Sequence, residues 1–159
     1  MTAKKILSAM ALMLGAASAA SAQTATQTVT FQVDAINQIA FSGSPSLVIN
    51  TATAGSNPTS ATASASWAVT TNQTAAKITA SIASNMASGL TLQVNLSAPA
   101  GGASAGAQSL TTTAVDLVTG ITKLAQGSLG VTYSLAATPL AGVVSSSTRT
   151  VTYTITGGT

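Results

Sequence analysis

The chain holds two carboxylate side chains, Asp34 and Asp116, and no histidine, cysteine or glutamate. General acid–base catalysis draws most often on histidine, a Ser-His-Asp triad requires it, and the usual zinc sites need Cys or His ligands. What remains is a pair of acids, which can hydrolyse a glycosidic bond if the fold brings them together. The simpler reading is two separate charges in water. A calcium site built on both acids would have to add several carbonyl oxygens, because Ca²⁺ usually takes more carboxylates than this. No G-x-x-x-x-G-K-[ST] phosphate loop occurs,. The sequence therefore predicts a protein that is not an enzyme and carries no cofactor or metal.

Two further chemistries rest on other residues. Lys77 and Lys123 offer amines for a Lys–Asn crosslink assisted by a buried acid. That reaction needs a lysine whose charge burial suppresses, whereas solvated lysines are the plainer reading. Trp67, Tyr133 and Tyr153 can form a stacking platform for a surface glycan, the alternative function being a monomeric adhesin or carbohydrate-binding module,. All three sit at apolar positions of alternating stretches, which favours core packing. Asn72-Gln73-Thr74 and Asn95-Leu96-Ser97 match the glycosylation pattern, one that recurs by chance,.

The elements that would position these side chains are strands. Leu129, Val131, Tyr133 and Leu135 alternate with small or polar residues, as do Val151, Tyr153 and Ile155 with threonines. Period-two alternation marks a strand with one face buried and one wet. These stretches predict two long antiparallel strands with the tyrosines inward. The same pattern runs through residues 28–35, 63–70, 77–84 and 90–96, with shorter strands expected at Leu47-Val48-Ile49 and at residues 108–112. Residues 114–121 are the least regular and leave room for one helical turn. Asn37 interrupts the alternation before Ile39 and Phe41 lead into a Ser-Gly-Ser-Pro turn. About eight strands at this spacing predict an all-β sandwich or barrel, here a single Ig-like β-sandwich. Its expected core contains Trp67, Ile78, Ile82, Leu92, Val94, Val131, Tyr133, Val151 and Tyr153. The abundance of alanine and threonine fits either a thin core of small residues or a surface that packs against copies of itself.

The first 22 residues read as a signal peptide. Lys4 and Lys5 precede an apolar run from Ile6 to Ala17 that is short for a membrane span, and Ala20-Ser21-Ala22 forms a cleavage site,. The expected domain is residues 23–159, long enough for a core without disulfides. The precursor's charge of +3 falls to +1 once Lys4 and Lys5 leave, since Lys77, Lys123 and Arg149 then face Asp34 and Asp116. No basic patch suits nucleic acid, and no further membrane insertion is expected. A nearly neutral surface has little repulsion to keep copies apart.

Ala35-Ile36-Asn37-Gln38-Ile39-Ala40-Phe41-Ser42-Gly43, Thr70-Thr71-Asn72-Gln73-Thr74, Val118-Thr119-Gly120-Ile121 and residues 149–156 resemble a group of small secreted bacterial β-sandwich proteins of unsettled function. The pattern is also similar, more loosely, to Ig-like subunits of bacterial and archaeal extracellular fibres. That resemblance implies a strand near the mature N-terminus that completes a neighbour's sandwich, here Val29, Phe31, Val33 and Ala35. It implies a secreted or surface-located structural protein that forms a homo-oligomer or filament. Cleavage after Ala22 is expected, and the intact mass of the secreted protein checks it; a product retaining Lys4 and Lys5 would refute it.

Overall fold

The computed structural model describes residues 21–158, so most of the expected signal peptide, residues 1–20, lies outside the described residues. The chain divides into two units, residues 1–32 and 33–159. In the first, residues 21–32 form no strand and are all exposed. The expected strand over residues 28–35 is therefore corrected: no ladder includes it. Alternation alone cannot make a strand, because its backbone groups need a partner chain to hydrogen-bond with.

The second unit is all-β, with nine strands in two antiparallel sheets. In chain order they are β1 (Asn37–Ser42), β2 (Ala61–Thr71), β3 (Thr74–Ile82), β4 (Leu90–Leu96), β5 (Ala103–Ser104), β6 (Gln108–Ser109), β7 (Val115–Ile121), β8 (Leu124–Ala137) and β9 (Val151–Gly158). The five-stranded sheet runs β1-β2-β8-β4-β6 and the four-stranded sheet β5-β7-β3-β9. The last two long strands thus belong to different sheets and do not pair with each other. Two more expectations fail. Leu47-Val48-Ile49 is not a strand, although Leu47 packs against the core. Residues 115–121 form β7 rather than a helical turn; Leu117 and Val118 are both buried, and an irregular register against β3 breaks the simple alternation,.

Both sheets feed one core. Trp67 and Val69 of β2, Leu92, Val94 and Leu96 of β4, and Leu129, Val131 and Tyr133 of β8 are buried against Ile78 and Ile82 of β3 and Leu117, Val118 and Ile121 of β7. Val151 and Tyr153, expected in the core, are only half-buried because β9 is an edge strand. Small residues contribute directly: Ala76 and Ala80 of β3 are fully enclosed.

A bulge keeps β8 in phase with this core. Trp67 faces Leu129 and Val69 faces Gln126, so Ala68 alone spans Gly127 and Ser128. Ser128 takes a positive φ of 57°. The inserted residue shifts the core-facing positions from Leu124 to the odd-numbered Leu129, Val131 and Tyr133,.

Trp67 is 2% exposed, and its indole N–H has no hydrogen-bond partner. Removing the ring leaves a large void between the sheets. Trp67→Ala is expected to cost about 3–5 kcal/mol, measured by denaturant unfolding; a loss near zero would contradict this packing.

Candidate functional site

The charged candidates are not gathered into a pocket. Lys77 on β3 and Asp116 on β7 form an ion pair at 3.0 Å, with both side chains about half exposed. Such a pair contributes little to stability, and its wet setting is unlike the buried lysine that a Lys–Asn crosslink requires. Asp34 precedes β1, where its carbonyl accepts a hydrogen bond from Asn72 Nδ2 at 2.7 Å and Asn72 Oδ1 accepts one from the Ile36 N–H at 2.8 Å. Lys123 occupies the tight corner between β7 and β8, with φ of 43° and its N–H donating to the Gln73 carbonyl. It borders a shallow depression of about 350 Å³ with Ile36, Asn72 and Leu124. Neither acid lines that depression or a second one of about 330 Å³ beside Met86 and Leu110. Among the described residues no three His, Cys, Asp or Glu side chains come together as a metal cluster, and no helix is long and apolar enough to cross a membrane.

The aromatic candidates do converge. Tyr133 and Tyr153 meet across the sheets with their hydroxyl oxygens 2.7 Å apart. Phe41 of β1 stacks on Tyr153 at a centroid distance of 3.8 Å and on Trp67 at 6.2 Å. The sequence singled out three of these four rings. Phe41 was missed, since its stretch looked like the approach to a turn. Trp67 and Tyr133 are buried, so the expected trio does not present a flat platform to a glycan. Burial raises the Tyr153 hydroxyl's pKa well above the usual tyrosine range, and the hydrogen bond it shares with Tyr133 adds to the effect,.

This row of rings lies at an unusual flank. On the opposite flank the chain shuttles between sheets through β4, β5, β6 and β7, and the edges there are two residues long. Short edges of that kind resist pairing with other chains. On the aromatic flank the edges are β1, with six residues, and β9, with eight. Among the described residues each pairs on one side only. Their core-facing side chains, Ile39 and Phe41 on β1 and Val151, Tyr153 and Ile155 on β9, touch the core yet are only partly buried. The flank thus combines a half-covered apolar row with two edge strands longer than those opposite,. Comparison of the chain with family models, with curated proteins and with solved structures finds no match to any.

The tyrosine pair has a pH signature. With a raised folded-state pKa, Tyr153 keeps its proton above about pH 10, where an unfolded tyrosine releases it. Its contribution to stability is complete below that pH and falls as pH rises further. Tyr153→Phe is expected to lower stability at neutral pH by about 1 kcal/mol and to flatten the alkaline loss, as followed by thermal unfolding from pH 8 to 11. An unchanged alkaline slope in the variant would contradict it.

Proposed function

We propose that the protein is a secreted structural subunit, an Ig-like β-sandwich that assembles into an extracellular filament or surface layer by exchanging its N-terminal strand between copies. One observation carries this reading. The sheets from β1 onward have an open flank of half-covered apolar side chains, while the segment before β1 offers an alternating apolar set that belongs to no strand. Phe31 in that set is 89% exposed, and Val29 and Val33 are similarly uncovered. Solvated aromatic and β-branched residues in strict alternation are costly to leave in water and suit a strand that pairs elsewhere.

A neighbour's segment would satisfy the edge's backbone groups and cover its apolar row in one step. Each copy both donates and accepts, so the contact is head-to-tail and propagates rather than closing. The near-neutral charge after signal removal puts little repulsion between subunits,. With no histidine, cysteine or glutamate, and with neither acid lining a described depression, the chain is read as non-enzymatic.

Deleting residues 23–33 tests the reading. The truncated subunit is expected to stay folded and to lose polymerisation, seen by light scattering and negative-stain microscopy. A peptide of residues 26–36 is expected to bind it, detected through the fluorescence of Trp67. A full-length protein that stays monomeric at high concentration, with a truncation that merely unfolds, overturns it.

A further inference from the structure

The chain has five aromatic side chains. Four of them, Trp67, Phe41, Tyr153 and Tyr133, form the contiguous row at the open flank. The fifth, Phe31, is exposed at the centre of the N-terminal segment that belongs to no strand. Its apolar neighbours two positions away are Val29 and Val33. On β9, Tyr153 stands in the same way between Val151 and Ile155. Both stretches thus read β-branched, aromatic, β-branched at period two, with polar residues between them.

Resting on the strand-exchange reading, we infer that Phe31 of a second copy docks beside Tyr153, with its segment antiparallel to the free edge of β9. Val29 then faces Ile155, Val33 faces Val151, and Thr30 faces Thr154 on the wet side.

The register follows from what each position offers. A slip of two residues one way sets Val29 against Gly157, which has no side chain to pack. A slip the other way carries Val33 past the strand to Arg149, which is exposed. The centred register alone keeps all three apolar residues within β9's apolar stretch. It also sets two aromatic rings side by side on the inner face and threonines opposite one another outside, both favourable cross-strand pairs. β9 is favoured over β1 as acceptor because it presents three inward apolar residues to β1's two and is the longer edge. Antiparallel addition continues the pattern of every ladder in the sheet, and antiparallel pairing is the more stable per residue.

The natural absence of cysteine makes the register directly readable. In the full chain, Thr30→Cys combined with Thr154→Cys places two thiols opposite each other between copies, within disulfide reach. Mild oxidation is expected to give a ladder of covalent oligomers. The control, Thr30→Cys with Thr150→Cys, shares the same face but is displaced by roughly 13 Å and is expected to give none. Phe31→Ala, in an exposed segment outside the fold, is expected to reduce polymer yield more than about tenfold, as a central aromatic anchor does, and Val29→Ala less. A ladder in the control, or polymers that form without crosslinking either pair, overturns the register while strand exchange stands. Equal polymer yield from Phe31→Ala overturns the anchor. A wild-type chain that forms no polymer removes both proposals together.

Discussion

The contact on which the open flank depends is the meeting of Phe41, Tyr153 and Tyr133 between the two sheets. Sheets that share a core need their edges held at a fixed separation, and at the opposite flank the chain itself does this by passing repeatedly between them. At the β1–β9 flank aromatic side chains span the gap. Phe41 stacks on Tyr153, and Tyr153 reaches over to Tyr133 of the facing sheet. The hydroxyl pair satisfies two polar groups that would otherwise be costly to bury. These rings bridge the two edges while their apolar row stays half-covered.

The corners at the β2–β3 end reinforce this arrangement. The Lys123 N–H donates to the Gln73 carbonyl, and the Ala75 N–H to Thr122 Oγ1, tying together the two turns where the chain changes sheets. Asn72, in one of those turns, also fixes the residues that lead into β1. The starting point of the β1 edge is therefore set by the same cluster that spaces the sheets.

Much of this could be read in the sequence, and the limits have physical causes. Trp67, Ile78, Val94 and Val131 lie in strictly alternating stretches, and each is buried. β1 was hidden because Asn37 looked like a break. In the fold its carboxamide oxygen accepts the Thr71 hydroxyl at 2.7 Å, so a polar residue opens the strand opposite a buried one. β7 was obscured by adjacent buried residues at a bulge, where period two cannot hold. Alternation reports which face of a strand is buried but not which strand lies beside it, so nothing local revealed that β8 and β9 belong to different sheets. The aromatic row was half legible for the same reason: its members are far apart in sequence, and Phe41 gained its meaning only from pairing with Trp67.

The bulge at Gly127–Ser128 has a consequence for how this chain tolerates change in length. It is the single added residue that turns Leu129, Val131 and Tyr133 toward the core after Leu124 has already faced it. Losing one residue there would rotate the rest of β8 by half a pleat and send Tyr133 outward, away from Tyr153. The stretch between β1 and β2, by contrast, is mostly exposed and carries one isolated bridge, Ala52 with Pro58. Insertions and deletions should therefore accumulate in residues 43–60, while the middle of β8 keeps its count even as its side chains vary.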